Sequence, residues 1–382
     1  MGLASYLPVV FFLLSGFAGF AIFVFSENNG LLRLVEHFVE NKVLPGSGEP
    51  LRTVYTGFEP VDRLLAFLTV FFIPVVDGSN PSLFLHSITF TGAFGSAWVL
   101  VVLEAWRKGN SSNLFSLPSI FGIAAQVATF AMSTPLYLGL QLLTSNTSFQ
   151  PTAKNIAIPR AVVNAIPVIF ILAFQVPSFA MLIPAPEVIT FDQKQVLVAL
   201  WQPWPVYVST LLTIVSLLFS GSTSDNSPFK LRKSLRAAYT FALTNSALNH
   251  VISWTISLVT IAKPEFFNES YLHSLHPAQV FTPYNPFTNG ELKVKDIGDG
   301  VHIFLQWDFL VGTSAVLLWA VTVNALARSK IQGKVGWFGL LFKTATSALF
   351  TGPVGAAVQL VWERDELVLD DEIVKSAAKK AL

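Results

Sequence analysis

The chain has 382 residues, 52% hydrophobic and only 12% charged, where an average soluble domain carries about 25% charged residues. So little charge cannot cover a water-soluble globule of this size, and so much apolar surface excludes intrinsic disorder. A net charge of +1 excludes the basic surface that a nucleic-acid partner needs, and the absence of Cys excludes disulfides, Cys-based zinc sites and iron–sulfur ligation.

Apolar runs of helical length follow one another along the chain, and about 20 such residues cross a bilayer core. They are Tyr6–Phe25, Val61–Val76, Leu83–Glu104, Leu117–Leu143, Ala161–Ile183, Pro203–Ser220, Ala237–Ile261, His302–Ala327 and Gly336–Val361. The pattern predicts an all-α fold, a polytopic transmembrane helical bundle of about nine spans, or eight if the short second run is re-entrant. The runs are continuous rather than alternating, so a transmembrane β-barrel is excluded. The first run lacks a basic leader and exceeds the core of a usual signal peptide, so it reads as a span. With no internal repeat, residues 1–382 read as a single transmembrane helical domain.

Between the runs, Leu31–Val43 places Leu31, Leu34, Val35, Phe38 and Val39 at helical spacing, which predicts a surface-lying amphipathic helix. Residues 263–300 form a long loop broken by Pro264, Pro277, Pro283 and Pro286, a cap over the bundle. Residues 362–382 are a charged C-terminal tail. Its last residues, Lys379-Lys380-Ala381-Leu382, resemble a dilysine retrieval signal of the endoplasmic reticulum. The distribution of Lys and Arg favours a cytosolic C-terminus, although the most basic short loop, Lys230–Arg236, lies on the opposite side.

An ionisable side chain inside a membrane helix is costly and marks a candidate site. Asp308 stands roughly 10 Å into the eighth run, too deep for its short stem to reach the interface, and no basic residue lies within four positions. The bland alternative is a neutral Asp that glues helices together. Phe304, Asp308, Gly312, Ala315 and Trp319 share one helix face, so the acid has aromatic neighbours that suit a cation. Glu104 ends the third run on a face with Phe90 and Phe94; Arg107 and Lys108 follow it, so an interfacial ion pair explains it as well. Asp299, His302 and Gln306 share a face and suggest either a proton relay or a wet helix cap. Asp62 opens the second run beside Glu59 and Arg63, where the helix dipole favours acids. No clustered carboxylates suit Mg²⁺ on a diphosphate, and no phosphate loop, His-Glu-x-x-His or Gly-x-Ser-x-Gly is present. His273 and His276 lack a third ligand. No metal and no cofactor is therefore expected.

The stretch Asp299-Gly300-Val301-His302-Ile303-Phe304-Leu305-Gln306-Trp307-Asp308, with Gly312, Trp319, Gly352-Pro353 and the exit Trp362-Glu363-Arg364-Asp365, resembles the integral membrane terpene cyclases of fungal meroterpenoid pathways. The type is that of ascofuranone, ascochlorin and macrophorin biosynthesis. Better-studied small meroterpenoid cyclases are shorter, so their acidic positions do not map here. The resemblance implies metal-independent cyclisation of a farnesylated aromatic or quinone substrate, begun by protonating a terminal epoxide or alkene. It implies a prenylated small molecule as partner; the apolar runs add the bilayer, no obligate protein partner is evident, and the dilysine-like tail points to the endoplasmic reticulum.

Desolvation favours a neutral carboxylic acid, and a dry pocket protects carbocations from water. On this reading Asp308 is the leading acid, Glu104 the second carboxylate, and His302 with Asp299 a relay, with Asp62 a further acidic candidate. Phe304, Trp307, Gln306, Trp319, Phe94 and Phe90 are the candidate substrate-binding residues. The alternatives are a proton-coupled transporter or receptor-like bundle, and a sterol-isomerase-like membrane enzyme.

Overall fold

A computed structural model describes residues 7–111, 116–219, 227–287 and 292–381, with the side chains of 379–381 left aside. The dilysine segment Lys379–Leu382 therefore lies outside the described side chains. Among the described residues the regular secondary structure is all helix, apart from one isolated bridge between Val43 and Pro50. We number the longer helices α1 (Leu7–Asn29), α2 (Leu31–Asn41), α3 (Glu59–Val76), α4 (Pro81–Trp106), α5 (Pro118–Ala128) and α6 (Phe130–Thr144). The series continues with α7 (Arg160–Ala180), α8 (Phe191–Trp201), α9 (Trp204–Leu218), α10 (Pro228–Ala262), α11 (Ile297–Gln332) and α12 (Trp337–Ala381).

Helix boundaries follow local chemistry. Asn80 accepts from the Leu83 amide and Pro81 opens α4, so one orphan donor is capped and one removed. Asp296 caps α11 through the Asp299 amide, and left-handed Gly333 ends it. Thr190 and Gln193 form a reciprocal capping box on α8. Gly30, at φ 94°, turns α1 into the amphipathic α2, which lies where the apolar spacing predicts it.

All nine apolar runs are mainly helical where described, but they do not make nine continuous spans. Four helices are long and apolar enough to cross a membrane: α1, α4, α7 and α11. A fifth follows if α8 and α9, bent by 56° at Gln202–Pro203, count as one. The reasons are local. The fourth run is split at Thr129 into α5 and α6. The last run is broken at Gly352, whose φ is 74°. In α10 the apolar run is interrupted by Asn245, Asn249 and His250. The charged tail is not a separate element, because α12 carries on through it to Ala381.

The break in α12 is satisfied by α10. Pro353 has no N–H for the Leu349 carbonyl, and His250 Nε2 takes that carbonyl at 3.1 Å instead. Ser246 Oγ donates to the Thr351 carbonyl at 2.8 Å. The helices α10 and α11 each pack on α4 and α12, which also touch each other, with α6 and α1 against α11 and each other. Outside this core many apolar side chains are exposed; on α7 these are Val168, Ile171, Leu172, Val176 and Phe179.

Candidate functional site

A cavity of about 290 Å³ opens between α1, α2, α3, α4, α11 and the broken helix pair α5–α6. Its wall is mainly aromatic and includes Phe71, Phe90, Phe94, Phe130, Phe304 and Trp201. The rings meet edge to face or tilted: Phe71 and Phe304 at 4.9 Å, Phe94 and Phe130 at 5.1 Å between centroids. Asp308 is on the same wall and only 5% exposed. Among the described lining residues it is the one ionisable side chain.

The position of Asp308 depends on the break before α6. Thr129 has φ 73° and ψ 157°, a conformation that a β-branched residue adopts only when its surroundings enforce it. The break frees the first amides of α6, and the Ala131 amide donates to Asp308 Oδ1 at 2.6 Å. The Thr129 hydroxyl and the Phe130 amide lie beside the same carboxyl. Gly312, one turn beyond Asp308, makes this approach possible: a Cβ there would lie 2.3 Å from Phe130 Cδ1. The bare Cα of Gly312 is thus the slot for Phe130.

The other sequence candidates divide between the cavity and elsewhere. Phe304, Phe90 and Phe94 line the cavity with Asp308. Trp307 does not; it packs edge-on to Phe17 and donates to the Tyr284 carbonyl. Asp62 accepts from the Tyr55, Thr56 and Gly57 amides and the Thr56 hydroxyl, tying that loop to the start of α3. Asp299 receives the Asn80 amide at 3.3 Å, half-buried at the start of α11.

His302 and Gln306 both bond to the Val280 carbonyl, so they fasten the 277–281 helix to α11. His86 lies 5.6 Å from His302, ring centre to ring centre, and bonds to the Leu305 carbonyl. A carbonyl only accepts, so Nε2 carries the proton in both rings.

Glu104 lies in a buried ionic cluster. Its Oε1 binds Arg107 and Arg364, each at 2.8 Å. Its Oε2 receives Thr147 at 3.0 Å and Gln141 at 3.3 Å. Asp365 binds both arginines at 2.9 Å and accepts from Tyr239 at 2.6 Å. Trp319 joins through Gln141 Oε1. Two guanidiniums face two carboxylates, so the charges balance. Burial alone would raise the Asp365 carboxyl; Arg107 and Arg364 beside it override that and hold it below the usual carboxylate range. Glu104 and Trp319 are absent from the cavity wall.

Two contributors had little or no sequence signal. Thr129 stands in an unbroken apolar run with no Gly or Pro beside it. Gln126, a polar residue in the same run, lines the cavity one helical turn earlier. Among the described residues, no group of three or more His, Asp or Glu is placed to hold a metal ion.

The CtvD domain model matches residues 7–369, nearly the whole chain. The chain belongs to the CtvD-domain family. CtvD-domain relatives carry a consistent name. The chain is 32% identical over 382 residues to terpene cyclase ascI of Acremonium egyptiacum, covering 97% of this chain and 92% of that protein. It is 30% identical over 350 residues to terpene cyclase ctvD of Aspergillus terreus, covering 91% and 95%. It is 30% identical over 349 residues to terpene cyclase janA of Penicillium janthinellum, covering 91% of each. No solved structure matches this CtvD-domain chain.

Proposed function

We propose that this chain, a terpene cyclase by family, starts ring formation with a proton from Asp308. The observation that carries this reading is that Asp308, buried, is the one ionisable side chain among the described residues of a mainly aromatic cavity wall. Asp308 Oδ1 is occupied as an acceptor by Ala131, so Oδ2 carries the proton. The substrate is a farnesylated aromatic or quinone with a terminal epoxide or alkene.

For an epoxide, the proton passes from Oδ2 to the ring oxygen. The C–O bond breaks with its electron pair to oxygen, and a tertiary cation forms. The next double bond attacks that cation and closes a carbon–carbon bond. The last cation loses a proton, or is captured by a substrate hydroxyl that loses one, so no net proton is consumed. A dry wall protects each cation from water, and aromatic faces stabilise it. No metal takes part in this scheme.

The protein works as an integral membrane enzyme of the endoplasmic reticulum on this reading. Four or five apolar spans and the exposed apolar face of α7 support the membrane part of it, because such a surface is stable against lipid and not against water. The apolar side chains allow a prenyl chain to reach the cavity from the bilayer.

The test is conversion of a farnesylated phenol and its terminal epoxide by microsomes that express the chain, with Asp308→Asn in parallel. Conversion by the wild type and none by the variant supports the assignment. Equal conversion by both removes Asp308 as the acid. Proton-coupled uptake without any conversion overturns the cyclase reading.

A further inference from the structure

We propose that Gln126 is a substrate-binding residue whose side-chain amide donates a hydrogen bond to the oxygen that Asp308 protonates. The proposal rests on the reading above, in which Asp308 delivers a proton into the cavity, and adds a second group to that event.

The cavity wall has few polar groups, and most are already bonded. Ser87 Oγ donates to the Leu83 carbonyl at 2.7 Å. Thr129 Oγ1 accepts from the Met132 amide at 3.3 Å. Asp308 Oδ1 accepts from Ala131. Gln126 differs, because its Nε2 is buried and has no hydrogen-bond partner. A buried donor without an acceptor is unfavourable, so this one calls for an acceptor.

Its location says which acceptor. Gln126 lies in the last turn of α5, three residues before Thr129, and a helix rises about 4.5 Å over three residues. The Thr129 hydroxyl is itself beside Asp308. Gln126 and Asp308 both line the cavity. Gln126 thus shares the cavity with Asp308 and stands one turn before the Thr129 break beside that acid. A terminal torsion of this kind is soft, so Nε2 can swing onto an oxygen bound there.

An amide N–H suits an oxygen whose lone pairs gain charge as the bond to carbon breaks. The electron pair of the cleaved C–O bond goes to that oxygen, the proton comes from Asp308, and the Gln126 hydrogen bond shortens as charge develops. A fixed donor aimed at developing charge contributes most in a water-poor site. A site that hydrogen-bonds a substrate oxygen also rejects an analogue that lacks it, since the donor is then left unpaired.

The test uses two unreactive probes on the full-length chain in lipid nanodiscs. One is a farnesylated phenol ending in a tertiary alcohol; the other has the same saturated end without the oxygen. Dissociation constants are measured for the wild type, Gln126→Leu and Gln126→His, with Asp308→Asn as a control for the parent reading. The wild type is expected to prefer the alcohol about 10- to 100-fold. Gln126→Leu is expected to lose most of that preference while binding the deoxy probe as before. Gln126→His, which keeps a donor, is expected to recover part of it. A wild type without preference, or a preference unchanged in Gln126→Leu, overturns the role of Gln126. Turnover that survives in Asp308→Asn overturns the parent reading instead, and the binding measurement is independent of it. If Gln126→Leu does not fold, Gln126→Met, of similar length and without a donor, takes its place, with a lost preference supporting the role of Gln126 and an unchanged preference overturning it.

Discussion

The Ala131 amide donates to Asp308 Oδ1 at 2.6 Å, although 177 positions separate the two residues. The bond exists because the chain breaks at Thr129 and offers the first amides of α6 to α11. It makes the two oxygens of the carboxyl unequal, with Oδ1 engaged as the acceptor of a backbone amide.

Asparagine at 308 keeps an oxygen for the Ala131 amide and lacks an acidic proton. Asp308→Asn is therefore expected to lower turnover about 100- to 10,000-fold, the range that general acids contribute, with thermal stability close to the wild type. Turnover of a farnesylated epoxide together with a melting curve in detergent checks both halves. A large fall in melting temperature with matching loss of activity would make Asp308 structural.

The approach of α6 to Asp308 depends on a missing side chain. A Cβ at position 312 meets Phe130 Cδ1 at 2.3 Å, and Phe130 is itself buried. Gly312→Ala is expected to push the Phe130 ring and the Ala131 amide away from the acid. Overpacking of this kind costs about 1–3 kcal/mol, so a lower melting point and a slower kcat are expected together. Phe130→Leu in the same chain should restore part of the stability, and no restoration would count against the clash.

Much of this arrangement was legible in the sequence. The nine apolar runs became helices because continuous hydrophobicity admits little else, and α2 followed from its spacing. The face of Phe304, Asp308 and Gly312 was readable from helical periodicity alone. Thr129 was not, since no Gly or Pro announces the break and tertiary contacts enforce it. Nor was the surrounding of Glu104. Its neighbour Arg107 was visible three positions on, but Arg364 reaches it from 260 positions away. Sequence distance hides such a partner, and with it the buried ion cluster that holds Glu104.

Phe304 stands one turn before Asp308 and shares a wall with the acid and Phe71. Cation–π attraction contributes about 0.5–2 kcal/mol, so Phe304→Leu is expected to lower kcat about 2- to 30-fold and to increase prematurely quenched products. Product analysis by mass spectrometry separates this from a simple loss of binding, which would raise KM and leave the product ratio alone.

Glu104 offers the opposite pattern from Asp308. Replacing one member of a buried, balanced ion cluster leaves the remaining charges unpaired and costs about 3–5 kcal/mol. Glu104→Gln is expected to lower the melting temperature strongly, while the fraction that remains folded keeps its turnover. Wild-type stability with lost turnover would return Glu104 to the list of acids that act on substrate.

The same cluster sets how stability responds to acid. Asp365 is held below the ordinary carboxylate range by Arg107 and Arg364 against the effect of burial. A group depressed in the folded state adds stability that is complete above its unfolded value, about pH 4. That stability is lost as pH falls through the lower folded value. Melting temperature is therefore expected to be flat from neutral pH to about pH 5 and to decline below about pH 4. Asp365→Asn removes the titrating group and leaves two guanidiniums facing Glu104 alone. The variant is expected to be less stable at neutral pH, with a shallower decline in acid. Parallel acid limbs for the two proteins, measured in the same detergent, would mean that Asp365 does not carry the linkage.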